Sequence, residues 1–151
     1  MKARIRGAEI AYDVRGQGPA LLLLHAFPLG LAQWDEQARV LSGASQVVRF
    51  DARGFGGSPP GDGLLTMERI ADDAAGLLDH LQIGAATVCG LSMGGYAAFA
   101  FVVSRPHRDR EIRCCHRFCG RSNVSGQGKE SLAVPANARQ RLARVGDVST
   151  P

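Results

Sequence analysis

No membrane-spanning segment is expected in this sequence. Leu21-Leu22-Leu23-Leu24 falls far short of the roughly 20 residues a spanning helix needs. The opening residues, Met1-Lys2-Ala3-Arg4-Ile5-Arg6, lack the apolar core of a secretory leader. Cytoplasmic residence and no membrane partner are the expectations. Cysteine is sparse: four residues, three of them packed with a histidine in Cys114-Cys115-His116 and Cys119. A structural zinc site pairs such a cluster with a second, distant pair of ligands, and the chain has none, so no metal is expected. Cys89, in an apolar run, reads as a small hydrophobe.

With those classes set aside, the composition is that of one globular domain. The chain has 151 residues, 45% of them hydrophobic and 21% charged. Its charge is unevenly placed. Residues 1–103 carry 8 Lys/Arg against 10 Asp/Glu, whereas residues 104–151 carry 10 against 4. A basic tail of this kind raises nucleic-acid binding as one reading. The tail has no aromatic residue but Phe118 to interleave with its basic ones and no known module, so nucleic acid is not the expected partner.

Residues 3–14 alternate loosely between apolar and polar around Gly7 and predict a β-hairpin at a sheet edge. Gly16-Gln17-Gly18-Pro19 is a turn. Ala20 to Leu24 is continuously apolar, as in a parallel strand buried on both faces. A helix is expected over about 32–41, and Gln46 to Phe50 is the next strand. It runs into Asp51-Ala52-Arg53-Gly54-Phe55-Gly56-Gly57-Ser58-Pro59. Thr66 is a natural N-cap for a helix with Met67, Ile70, Ala71, Ala74, Leu77, Leu78 and Leu81 on one face, closed by Gly84. Ala85 to Cys89 is a third apolar strand, and Tyr96 to Phe101 suits a helix. The order strand, helix, strand, helix, strand, helix predicts an α/β fold with a mostly parallel sheet. In such sheets, ligands gather beyond the carboxyl ends of the strands. His25-Ala26-Phe27, Asp51-Ala52-Arg53-Gly54 and Ser92 all follow strand ends.

The centre of the chain is Gly90-Leu91-Ser92-Met93-Gly94, a G-x-S-x-G pentapeptide between a strand and a helix. That context predicts a nucleophile elbow, in which a serine at the apex of a sharp turn takes a strained backbone conformation and small neighbours make room for it. Leu-Leu-Leu-Leu-His-Ala-Phe-Pro-Leu before a helix containing Trp34, then Phe-Asp-Ala-Arg-Gly-Phe-Gly-Gly-Ser-Pro, then Cys-Gly-Leu-Ser-Met-Gly-Gly-Tyr follow in order. In these three features, over residues 3 to 103, the chain closely resembles the α/β-hydrolase superfamily.

The resemblance implies Ser92 as nucleophile, with the backbone N–H groups of Met93 and Phe27 as oxyanion donors. It implies hydrolysis of a small-molecule ester or lactone through an acyl-enzyme, with no cofactor. His25 stands before the serine, whereas the family's histidine follows it, so His25 reads as structural support for the oxyanion loop. Asp51 and Arg53 read as polar anchors, and Trp34 as a core or pocket-wall residue.

A serine of this kind needs a base and an orienting acid. After Ser92 the chain offers His107, His116, Asp109, Glu111, Glu130 and Asp147, none placed like the family's acid and base, and it ends 59 residues later. The expectation is therefore residues 1–103 as the N-terminal part of an α/β-hydrolase domain, truncated after the elbow helix. Residues 104–151 form an atypical basic segment, read as frameshifted or disordered. Impaired hydrolysis, or a non-catalytic remnant, follows from the same absence of acid and base.

Overall fold

The computed structural model describes residues 1–104. Its five strands are β1 (Lys2–Ile5), β2 (Ala8–Arg15), β3 (Ala20–Leu24), β4 (Gln46–Phe50) and β5 (Thr87–Gly90). They form one sheet in the order β1-β2-β4-β3-β5. The strands β4, β3 and β5 run parallel, and the β1–β2 hairpin extends the sheet antiparallel on the β4 side. The hairpin turn is Arg6-Gly7, with φ of 47° and 82°. Positive φ at both positions is what a two-residue turn matching the strand twist requires.

The helices are α1 (Asp35–Leu41), α2 (Met67–His80) and α3 (Met93–Ser104). The first predicted helix is divided: Leu31–Trp34 is a 3₁₀ turn, and α-helical bonding starts only at Asp35. Alternation along the central strands builds two cores. Leu22, Leu24, Val48, Phe50 and Val88 pack with Ile70, Ala74 and Leu77 of α2 and with Ala97, Ala98 and Phe101 of α3. On the opposite face Leu23 and Val47 pack with Ala38, joined by Trp34, Leu21 and Cys89. Trp34 is thus a core residue on the α1 side of the sheet, and its indole N–H has no acceptor among the described residues.

Thr66 caps α2 as predicted, its hydroxyl accepting from the Arg69 N–H at 3.2 Å. The other end differs from the expectation that Gly84 closes the helix. Gln82 takes the left-handed position, at φ 57°. The Gln82 N–H donates to Asp79 O at 3.0 Å and the Ile83 N–H to Leu78 O at 2.8 Å. This is the paired closure of a Schellman motif, and Ile83 packs on the core beside it. A side chain at that position costs about 1 kcal/mol relative to glycine. Gln82→Gly is therefore expected to raise the thermal midpoint by several degrees, and an unchanged or lower midpoint in a melting experiment would refute the assignment.

Two buried arginines tie elements together through ion pairs, and only the second has a buried partner. Arg49, 1% exposed near the end of β4, donates to Asp13 Oδ2 through Nε and Nη2 at 2.9 and 2.8 Å, and through Nη1 to Asp35 and the Leu31 carbonyl. Burial by itself would lower its pKa; hydrogen bonds to Asp35 and Asp13 outweigh that and raise it. Arg53 reaches Asp73 of α2 with both arms of its fork, at 2.6 and 2.7 Å. No helix among the described residues is long and apolar enough to cross a membrane.

Candidate active site

Parallel pairing of β3 with β5 sets Leu24 opposite Gly90, so both strands end at the same level. Past that line the chain turns sharply. The Leu91 N–H still donates to Leu24 O at 3.2 Å, and Ser92 then adopts φ 53°, in the left-handed region that non-glycine residues avoid. Strain of this kind persists only where its surroundings enforce it. Here the enforcement is steric. A Cβ on Gly90 would collide with the Gly94 carbonyl, and a Cβ on Gly94 would collide with the Leu24 carbonyl and lie 2.8 Å from His25 O. The bare glycines let α3 begin directly against the end of β3. The Gly95 and Tyr96 N–H groups close on Ser92 O at 2.8 and 3.1 Å, so the helix starts immediately after the serine. Ser92 itself is exposed at the apex, beside the positive end of a 12-residue helix.

The loop after β3 lies alongside. Ala26 is buried and Phe27 is 67% exposed. Neither the Phe27 N–H nor the Met93 N–H has a hydrogen-bond acceptor among the described residues. By contrast, the Ala26 N–H donates to Gln33 Oε1 at 2.8 Å.

His25 is buried, with both ring nitrogens engaged. Nε2 accepts from the Ala52 N–H at 3.0 Å, so it carries no proton; Nδ1 must then be protonated and donates to Ala26 O at 3.0 Å. A histidine with no nitrogen to spare is not a base for Ser92. It fastens the β3 loop to the β4 loop, the structural part expected of it. The other described histidine, His80, ends α2 and meets Tyr12 edge-on at 6.1 Å.

Asp51 anchors in the same manner. Its Oδ1 accepts from Leu31 N–H at 2.6 Å and its Oδ2 from Gly57 N–H at 2.8 Å. Ser58 completes the tie, donating to Asp51 O at 2.7 Å and accepting from Ala11 N–H at 2.9 Å. The Phe55 ring stands edge-on to both His25 and Phe27, at 5.3 and 5.8 Å. The glycine-rich loop therefore supports the loop next to Ser92 rather than presenting reactive groups. Arg53 is held above the ordinary arginine range, chiefly by its hydrogen bonds to Asp73, and serves as a structural cation.

Gln33, Ser58 and Asp73 carry contacts that residue patterns did not single out. For Asp73 a signal exists, an acid on the apolar stripe of α2; for Gln33 none does. His107, His116, Asp109, Glu111, Glu130, Asp147 and the Cys114-Cys115-His116/Cys119 cluster lie outside the described residues.

Residues 19–115 match the family model of the alpha/beta hydrolase fold, which reaches past Val103. The chain belongs to the α/β-hydrolase family. This α/β hydrolase is 33% identical over 103 residues to 3-oxoadipate enol-lactonase 2 of Acinetobacter baylyi, covering 67% of the chain and 39% of that protein. It is 38% identical over 100 residues to epoxide hydrolase 2 of Siraitia grosvenorii, covering 64% of the chain and 32% of that protein. Among solved structures, a thermophilic esterase from Thermogutta terrifontis superposes with a TM-score of 0.71 at 39% identity, over 78% of this chain and 45% of that one. The α/β hydrolase described here thus spans less than half the length of these relatives.

Proposed function

We propose that this α/β hydrolase carries the nucleophile half of an acyl-transfer site, acting on a small-molecule ester or lactone. One observation carries the reading. An exposed serine at φ 53° stands where two parallel strands end, beside two backbone N–H groups without acceptors, those of Met93 and Phe27. Ser92 Oγ forms a bond to the substrate carbonyl carbon, and the carbonyl electron pair moves onto oxygen, where the two N–H groups stabilise it. Collapse of that intermediate breaks the bond to the leaving oxygen, which departs with the proton taken from Ser92. Water then releases the acid from the acyl-enzyme.

Among the relatives, enol-lactonases and esterases suit a serine at the elbow; epoxide opening and dehalogenation belong with an aspartate there. Serine therefore favours ester or lactone chemistry over the activity named for the Siraitia relative. The described residues bring no acid–base pair to Ser92. Weak, serine-dependent turnover is the expected behaviour. Removing a triad partner still leaves roughly 10³–10⁴-fold rate enhancement from the oxyanion hole and binding.

The test uses p-nitrophenyl acetate and a fluorophosphonate probe, with Ser92→Ala as control. Serine-dependent ester turnover supports the reading. Labelling that vanishes in Ser92→Ala, without turnover, supports a formed elbow lacking its base, the non-catalytic alternative. Identical behaviour of wild type and Ser92→Ala in both assays removes Ser92 from the chemistry. The basic segment after residue 103 keeps its second reading, nucleic-acid binding, only if the chain is retained on heparin at low salt and released as salt rises.

A further inference from the structure

We propose that Gln33 is a positioning residue that decides which backbone amide of the loop after β3 faces the substrate oxygen at Ser92. The inference rests on the assignment of Ser92 as nucleophile and of the Phe27 N–H as oxyanion donor. That loop offers two successive N–H groups, at Ala26 and Phe27. Only one of them is committed: the Ala26 N–H, on a buried residue, donates to Gln33 Oε1 at 2.8 Å. The next peptide unit is held by its other end. The Ala26 carbonyl accepts from His25 Nδ1–H at 3.0 Å and from Leu29 N–H at 2.8 Å. The Ala26–Phe27 peptide is trans, so its C=O and N–H point in opposite directions. Pinning the carbonyl toward His25 therefore turns the Phe27 N–H away from it.

Gln33 is itself fixed at its base. Its N–H donates to Gly30 O at 3.0 Å, and the 3₁₀ turn it occupies is tied to Asp51 through Leu31 N–H at 2.6 Å. The side chain thus brings an acceptor from a braced element to the one amide that would otherwise be a buried donor without a partner. Such a donor is costly, and the loop escapes the cost by rotating the peptide on either side of Ala26. Rotation exchanges the amide on offer and misdirects the Phe27 N–H. Gln33 contacts no reacting atom in this scheme; it acts through Ala26.

The experiment uses the full chain as wild type, Gln33→Leu, Gln33→Asn and Gln33→Glu, with Ser92→Ala as control. Amide hydrogen exchange at Ala26, Phe27, Leu22 and Leu23 is followed by NMR, and p-nitrophenyl acetate hydrolysis gives kcat and KM. Glutamate keeps an acceptor at the right reach. Asparagine, too short to reach Ala26 yet still polar, carries the test if leucine is not tolerated. The expected result is faster exchange at Ala26 in Gln33→Leu and Gln33→Asn, with Leu22 and Leu23 still protected. A fall in kcat of about tenfold with KM nearly unchanged accompanies it, below the loss expected from deleting a donor outright. Gln33→Glu restores both.

Unchanged Ala26 exchange in Gln33→Leu and Gln33→Asn overturns the proposal, as does lost Ala26 protection with kcat intact. If Ser92→Ala hydrolyses the ester as fast as wild type, the nucleophile assignment falls separately. The Phe27 amide then decides: its exchange must change in Gln33→Leu and return in Gln33→Glu, or the positioning role is rejected.

Discussion

Asp73→Ala is expected to lower the free energy of unfolding by about 3–5 kcal/mol, the usual cost of removing one partner from a buried ion pair. Asp73 is 1% exposed and Arg53 5%. The guanidinium spends Nε and Nη2 on the two carboxylate oxygens at 2.6 and 2.7 Å, and Nη2 also donates to Arg6 O at 3.2 Å. Without the carboxylate, the buried guanidinium keeps its hydrogen bond to the Arg6 carbonyl and only the more distant charge of Asp62. Because Arg53 bridges the loop after β4, the hairpin turn and α2, the loss is shared by three elements. Domains of this size hold roughly 5–15 kcal/mol, so the variant sits close to unfolding. With Trp34, the sole tryptophan, as fluorescent reporter, the urea midpoint should fall by on the order of 1–3 M. A fall below about 0.5 M would refute the account. Glu36→Ala provides the contrast. Its pair with Arg39 is exposed on both sides, and such pairs contribute about 0–1 kcal/mol. The arginine side of the buried pair adds no pH dependence in ordinary buffers. Its pKa is raised in the fold, so its contribution is complete below the unfolded value and is withdrawn only at still higher pH.

Asp73 also marks where sequence reading stops. The stripe Ile70, Ala71, Ala74, Leu77, Leu78 identifies the buried face of α2 by spacing alone, because burial of apolar area repeats at the helical period. Asp73 lies on that same face, which says that a cation waits opposite, but not that the cation is Arg53, twenty positions earlier. Periodicity reports which side of an element is dry; it carries no information about partners across the core. The strands were legible for the same reason, as continuous apolar runs buried on both faces. The elbow was legible because small residues around one serine have a local steric cause. The end of α2 was misplaced at Gly84 because glycine is the better left-handed residue, yet the closing hydrogen bonds form two residues earlier and Gln82 takes the left-handed position. His25 was readable as structural from chain order; its tautomer, set by Ala52 N–H, was not. Gln33 was invisible. Its role depends on one amide direction in a loop, and no pattern of residue types encodes that.

Gly94→Ala is expected to damage the molecule in a way that its single added carbon does not suggest. The new Cβ meets the Leu24 carbonyl group and stands 2.8 Å from His25 O. All of these are backbone atoms of β3 and its exit, held in the sheet by Leu22↔Val88 and Leu24↔Gly90 pairing. No side chain can rotate away, so α3 must lift off the end of β3. Lifting it breaks the Leu91 N–H bond to Leu24 O and releases the constraint that holds Ser92 at φ 53°. Overpacking of this kind costs about 1–3 kcal/mol where side chains give way, and the upper end of that range or more is expected against backbone. Chemistry should suffer beyond stability. Under the proposed assignment of the Met93 and Phe27 N–H groups as oxyanion donors, the same movement separates them, and losing one such donor costs about 10²–10³ in kcat. The discriminating control is Gly84→Ala, where a Cβ meets nothing within 4 Å and φ lies outside the left-handed region. That variant should stay within about 0.5 kcal/mol of wild type, or gain slightly from a stiffer unfolded chain. Urea midpoints and fluorophosphonate labelling of the pair decide the matter. If Gly94→Ala labels at the wild-type rate while remaining as stable as Gly84→Ala, close approach of α3 to β3 is not what builds the elbow.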